Sequence, residues 1–590
     1  MIVTRRNLAA LALAAPLAVP SIVKLAAAGQ SDGEAQDWPA WAPARSDLYA
    51  QNAKALREKG EDLRAFGARL DGVFDDTDAF QRALYSASVI AIGGGDRAVV
   101  RITRQLQVRR PVSIIGFGPR PLVKAECAEK DLFLICPPED DPSHFLGPIR
   151  IDNLRFERPE PLAPHGTVVR GYNLRGIAIT RCSARRMGII ALRHTRQRLG
   201  LYRRSQGSIS LDPALAAGFS GDAPHDLCED LLVFDCDVDA VTHASHLVRF
   251  EFTRRVAIAH NRGRFCGISW WGGGARRKEG GDLAHMRRAR DIYVCDNDVS
   301  GSIAGIWGNN GQTIHVARNR VAMVTDVGID FEGCVDVLAR DNVVLNAGNF
   351  CYATFYAARN VVFENNVGVQ DGSATQIHLK YGARPIGTVQ GRTLLALRSA
   401  GFGQVRGAIA VAYRNNHLSW RGQAGLGNCL PSYFDTLELS ANQFENVECD
   451  LRYRLTRSLA IRGNRFMFDR SLDKIVEVIG ASADTFEIAD NEIRAGGPFQ
   501  RGSAAIIAEA GQGAGPWEIV RNRIAAAGDL PLVVDGGPSA ERMKITDNTG
   551  ADIVMPADAN VDLRNNRGPG RGAATILRPN KAETSSAPAH

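Results

Sequence analysis

Apolar and polar positions alternate along this chain in short runs, and each run closes on the same polar residue. The unit is apolar, any, apolar, two residues, Asn. It reads Ile292-Tyr293-Val294-Cys295-Asp296-Asn297, then Ile314 to Asn319, Val337 to Asn342 and Val361 to Asn366. The same spacing ends at Asn261, Asn416, Asn442, Asn464, Asn491, Asn522, Asn548 and Asn566. Upstream, Ile177 to Cys182 and Leu231 to Cys236 fit it with Cys in the closing position. The commonest steps are 22 to 27 residues, a period that marks a solenoid. Alternation of period two makes each unit a strand; a helical solenoid needs apolar spacings of three and four. An Asn at a fixed turn tolerates a left-handed backbone and can bond its neighbours along the stack. The fold expected is all-β, a right-handed parallel β-helix with one turn per repeat.

Length alone would divide 590 residues into about four domains; the repeat replaces them with one elongated solenoid. A chain 45% hydrophobic and 23% charged is neither disordered nor collagen-like. The first 28 residues read as an export signal, with Arg5-Arg6 before an apolar run from Leu8 to Val23 and small residues Ala26 to Ala28. They resemble a bacterial twin-arginine signal, which implies a periplasmic or secreted protein with no stable membrane anchor. Without Arg5, Arg6 and Lys24 the net charge of +7 falls to +4, 68 basic against 64 acidic residues. A nucleic-acid partner would need a concentrated basic stripe instead. Eleven cysteines, none in a CxxC pair, read as small buried hydrophobes, with a disulfide between neighbouring turns as the alternative.

A solenoid needs a cap over its first rung. The segment Phe66-Gly67-Ala68-Arg69-Leu70-Asp71-Gly72-Val73-Phe74-Asp75-Asp76-Thr77-Asp78-Ala79-Phe80 supplies one. Asp76 or Thr77 would N-cap a helix to about Ser88, with Phe80 and Leu84 inward. This segment resembles the N-terminal motif of the pectate-lyase-like β-helix superfamily, which includes family-28 glycoside hydrolases, polysaccharide lyases and phage tailspikes. The resemblance implies the fold and leaves the activity open, and it makes the motif's carboxylates structural. Leader and repeats together also resemble exported β-helix repeat proteins of undefined function. The chain then divides into a signal at 1–28, a linker and short helix at 29–62, a capped β-helix at 63–567 and a disordered tail at 568–590.

Stacking the repeats predicts one chemically rich face. Counting back from the Asn aligns Leu247–Glu251, Gly305–Asn309, Gly328–Glu332 and Tyr352–Tyr356; Gly267–Trp271 opens the turn ending at Asn297 with a loop inserted between, and Gln376–Lys380 takes the next rung, with a long insertion before Asn416. Alternate residues share a face, so two outward columns emerge. One is Arg249, Ser269, Trp307, Asp330, Thr354 and His378; the other is Glu251, Trp271, Asn309, Glu332, Tyr356 and Lys380. Insertions at 193–228 and 272–290 add basic residues, among them Arg193, Arg276, Arg277 and Arg288. Arg249, Trp271, Trp307, Asn309, Arg276 and Arg277 are the expected substrate contacts, suited to an anionic polysaccharide.

Three activities fit these columns. Polysaccharide β-elimination needs a charge neutraliser, Arg249 or Lys380, and a base, Tyr356, His378 or Lys380. Glycoside hydrolysis needs two carboxylates; Asp330 and Glu332, with Glu251 nearby, qualify, and alternate strand residues about 6.8 Å apart fall in the inverting range. A C5-epimerase would use similar groups. The family-28 Asn-Thr-Asp strand and Gly-His-Gly segment are missing, as are the Tyr, Pro and His of the epimerase strand faintly similar to Gly328–Phe331. The reading is a carbohydrate-active enzyme on an acidic extracellular polysaccharide, lyase ahead of hydrolase, with a non-catalytic polysaccharide-binding protein as the other class. Asp330 and Glu332 could hold Ca2+, although no diagnostic calcium loop is present; no other cofactor or metal is implied. Whether the protein is a monomer or a trimer stays open.

Overall fold

The computed structural model describes residues 38–578 except 95–96, 139–143, 161–165, 194–201, 206–207, 212–226, 242–244, 276–287, 356–357, 374–390, 399–409, 424, 432–434, 453–456, 470–474, 497–498, 511–514, 527–529, 536–542, 557–560 and 571. The expected signal segment lies outside the described residues. The chain forms two units, Met1–Pro43 and Ala44–His590. In the first, Trp38 Nε1 donates to the Ala42 and Pro43 carbonyls at 3.2 Å each.

The second unit is a right-handed parallel β-helix. Each turn visits three parallel sheets in the same order, as in Thr253–Ala259, Arg262–Arg264 and Cys266–Trp271. Among the described residues the first sheet has eighteen strands and the second fifteen; the third runs from Leu106–Val108 to Ile576–Leu577. The core is the column of inward residues, such as Ile268, Ile306 and Ile329, in register on successive rungs. Aromatic rings stack along it too, Phe363 on Tyr413 with centroids 4.7 Å apart.

The asparagines form one ladder from Asn261 to Asn566. Asn319 is representative. Its amide donates to Asn342 Oδ1 at 3.0 Å and to the Val294 carbonyl at 2.7 Å, while its own Oδ1 accepts from Asn297 N at 3.0 Å. Every link but the last, Asn548 to Asn566, is buried, so the ladder satisfies backbone groups that the tight corner would otherwise orphan. The left-handed residue is the one before each Asn, not the Asn itself: Asp296, Arg318 and Asp341 have φ of 58°, 54° and 55°. That corner turns the following amide inward.

At the N-terminal end the helix spans Thr77–Ser86 and buries Phe80 and Leu84. Asp75 accepts from Thr77 N, whereas Asp76 accepts from Arg69 N and Leu70 N, and Asp71 from Val73 N and Phe74 N. All three carboxylates hold the cap's loops. A longer helix, Arg45–Lys59, crosses the outside of the first sheet: Arg45 pairs with Asp235 at 3.0 Å and Gln51 accepts from Arg150 at 3.0 Å. The tail departs from expectation. Residues 576–577 pair with Ile553 and Val554 as a last strand of the third sheet; residues 579–590 lie outside the described part. All eleven cysteines are free and buried.

Candidate functional site

The two outward columns form over four consecutive rungs of the third sheet. Arg249, Ser269, Trp307 and Asp330 are successive Cα partners, as are Glu251, Trp271, Asn309 and Glu332. Inward residues between them anchor the strands, Phe250, Trp270 and Phe331 being fully buried. Gly308 pairs with Trp270, and a Cβ there would lie 2.1 Å from the indole. Glycine thus lets that ring lie flat against the next strand.

The fifth rung differs from the sequence reading by one residue. Ala353 pairs with Asp330 and Phe355 with Glu332, while Thr354 pairs with the inward Phe331. The extra residue enters after Phe355: three positions separate Glu332 from Val335, but four separate their partners Phe355 and Arg359. Gly328 and Ile329 both sit on the inner side, since a Cβ at Gly328 would lie 2.4 Å from the buried Val344. Tyr356 lies outside the described residues, and Phe355 takes the position assigned to it. The sixth rung is Thr393–Arg398, not Gln376–Lys380, because most of the extra residues enter before that strand, between Gln370 and Thr393, and the rest after it, between Arg398 and Ala410. His378, Lys380, Arg276 and Arg277 also lie outside the described residues.

At one end of the face Glu251 is held by guanidinium groups, Arg249 at 3.2 Å and Arg193 at 3.7 Å. Arg249 also lies over the Trp271 ring, 4.0 Å from its centroid. Trp271 is 1% exposed, with the Trp307 ring edge-on at 4.6 Å and His246 at 6.3 Å. The expected contact of Trp271 with substrate is therefore corrected: its ring supports Trp307 and Arg249, and Trp307 is the half-buried indole of the face. Glu251 is likewise not beside Asp330 and Glu332. Three rungs separate it from Glu332, about 14 Å at the parallel-strand spacing.

At the other end three carboxyl groups gather without a cation bonded to them among the described residues. Burial pushes Asp330 well above the ordinary carboxylate range, and the charges of Glu332 and Asp326 push it further. Burial also raises Glu332, to about 7, against a hydrogen bond from Asn309 that favours its ionised form. Asn309 Nδ2 donates to Glu332 Oε2 at 3.0 Å, and Asn310 Nδ2 donates in turn to Asn309 Oδ1. Asn309, 2% exposed, thus positions Glu332 and is too buried to be a broad substrate contact. Asp330 Oδ1 is buried with no hydrogen-bond partner among the described residues. Asp326 is raised to about 6 by burial, with Asn349 Nδ2 donating to it at 2.6 Å.

Asp326 and His246 belong to this face and escaped the column count. Asp326 sits at the corner before its strand, beyond the inward pair Gly328 and Ile329. His246 is displaced by a register shift between His246 and Val248 that sends both Leu247 and Val248 into the core. Such bulges re-aim neighbouring side chains, and His246 Nδ1 lies 3.1 Å from Ser269 Oγ. The signal for it was the adjacent apolar pair Leu247-Val248 breaking the alternation. Arg288, from the basic insertion, is buried and donates to the Gly333 carbonyl at 2.7 Å, so it fastens the corner after Glu332.

Among the described residues no group of three or more His, Cys, Asp or Glu side chains is arranged to hold a metal ion. Asp330 and Glu332, the residues expected to hold Ca2+, are part of no such group. Among the same residues no helix is long and apolar enough to cross a membrane.

No family model matches the chain, and no curated protein matches it. Several solved structures are similar to it. The surface adhesin PfbA of Streptococcus pneumoniae is 10% identical, over 77% of this chain and 91% of that one, with a TM-score of 0.37. The pre-mature gene product 12 of bacteriophage phi29 is 10% identical over 89% and 74%, at 0.40. The catalytic unit of a GH87 alpha-1,3-glucanase from Streptomyces thermodiastaticus is 14% identical over 89% and 66%, at 0.21.

Proposed function

We propose that this protein is an exported carbohydrate-active enzyme that hydrolyses an acidic polysaccharide, with Asp330 as general acid and Glu332 as general base. The carrying observation is the pair of neighbouring carboxyl groups, both raised by burial, of which only Glu332 receives an amide hydrogen bond. A carboxyl group without a partner keeps its proton; one that accepts a hydrogen bond gives it up first. Asp330 then protonates the glycosidic oxygen, and Glu332 takes a proton from the attacking water. Alternate residues of a strand lie about 6.8 Å apart, which leaves room for that water and favours inversion. Trp307, paired with Asp330, offers an indole to a sugar ring, and Arg249 a positive charge to its carboxylate.

Elimination is the second reading, and one observation favours it: the bulge brings His246 to the same face as Arg249, a base beside a charge neutraliser. A panel of acidic polysaccharides separates the readings. Hydrolysis yields new reducing ends without ultraviolet absorbance, whereas elimination yields an absorbing unsaturated product. Binding without either product would leave a polysaccharide-binding protein and overturn both.

A further inference from the structure

The third sheet carries a cysteine pair that the proposed reaction does not use. Cys429 and Cys449 are Cα partners on neighbouring rungs, and both side chains belong to the buried core. Their sulfur atoms lie 3.3 Å apart. In-register parallel strands hold paired Cα atoms about 4.8 Å apart, inside the roughly 4.4–6.8 Å span of disulfides. We propose that Cys429 and Cys449 are an oxidisable pair that forms an inter-rung disulfide in the folded chain, stapling together the turn between them.

A second stacked pair shows why adjacency alone does not suffice. Cys182 and Cys236 also occupy equivalent places on neighbouring rungs, between the partners Thr180–Phe234 and Ser183–Asp237. Their thiols are turned to carbonyls instead: Cys182 Sγ lies 3.2 Å from the Thr180 oxygen and Cys236 Sγ 3.4 Å from the Phe234 oxygen. At the Cys429–Cys449 pair thiol faces thiol. Its sulfurs join residues twenty positions apart, so the bond would close a complete turn of the solenoid. Closing a loop of that length restricts the unfolded chain and stabilises the folded one.

The oxidant is a small organic disulfide. One cysteine thiolate attacks it, forming a mixed disulfide and releasing one small thiol. The second cysteine thiolate then displaces the other small thiol. The two thiol protons leave with the two reduced fragments, and the two cysteine sulfurs are joined. Burial and its neighbour push the Cys449 thiol far above its ordinary range. Thiolate is therefore scarce, and the bond forms over hours rather than seconds.

The test incubates the full folded chain with 2-hydroxyethyl disulfide, below its melting temperature. Samples are then denatured in an alkylating reagent and digested, and the cysteine peptides are weighed. The expected product is the Cys429 and Cys449 peptides joined, about 2 Da lighter than the two reduced peptides together, with Cys182 and Cys236 alkylated. The oxidised chain should melt a few degrees higher, a gain that reductant reverses and that Cys449→Ala lacks. Cys429 and Cys449 recovered as separate alkylated peptides after the full incubation would overturn the proposal. So would joining of Cys182 to Cys236 at an equal rate.

Discussion

Two carboxyl clusters lie on the third sheet, four rungs apart, and they differ in their partners. At Asp330 and Glu332 burial is uncompensated by any bonded cation among the described residues, and the carboxyl groups are raised toward or beyond neutrality. At Arg452 one guanidinium bonds Asp450 at 2.9 Å, Glu509 at 3.2 Å and Glu477 as well. There too burial leaves Glu477 raised, although Arg452 offsets part of the rise. The strands have the same geometry in both places, so the difference lies in the side chains alone. A carboxylate with a cation fastens rungs together; a buried carboxyl group without one holds a proton that chemistry can use.

The largest test of this contrast is catalytic. Asp330→Asn and Glu332→Gln should each lower turnover of a cleavable polysaccharide by about 100- to 10,000-fold, with Kd unchanged and Tm not lowered. Arg452→Met should leave turnover intact and destabilise the fold by about 1–3 kcal/mol, because it strands three carboxylates that are partly exposed. Chemical denaturation measures that loss. Equal stability losses at both clusters would erase the distinction.

A subtler contrast appears in pH dependence. Glu332 and Asp326 are raised in the folded state, from 4.5 to about 7 and from 3.8 to about 6. Their protonated forms therefore favour folding at low pH, and the benefit is lost as pH rises through about 6 to 7. The decrement is on the order of 1–3 kcal/mol, read as a fall in unfolding free energy between pH 5 and pH 8. Glu332→Gln should remove part of that slope, and Asp490→Asn should not, since Arg521 lowers Asp490. The smallest effect concerns the base alone. Asn309→Ala removes the donor to Glu332, so the acidic limb of the kcat profile should move to higher pH while KM stays within about twofold.

Much of this molecule could be read from its residues. The Asn spacing carried the fold because every rung repeats one corner, and twelve such corners reinforce one another. Four rungs of the face also followed from the sequence, since Arg249, Trp307 and Asp330 each stand twelve residues before a ladder Asn, and Gly267-Ile268 marks the rung from which an insertion separates Asn297. Counting failed where the backbone added a residue. The paired inward positions Gly328 and Ile329 hid Asp326, and the bulge at His246 hid the histidine. The insertion before Asn416 displaced the sixth rung entirely, because a repeat gives no sign of which side of a strand a loop enters. Burial was equally invisible: alternation placed Trp271 outward, and packing that includes Arg249, Trp307 and His246 covers it.

The account rests on one physical claim, that the Asp330–Glu332 pair retains a proton near neutral pH. Infrared difference spectra of the wild type against Asp330→Asn and Glu332→Gln, recorded across pH 4 to 9, read that proton directly. A protonated carboxyl absorption that persists to about pH 7 and loses one component in each variant is the predicted result. Complete ionisation of both groups below pH 5 would contradict it.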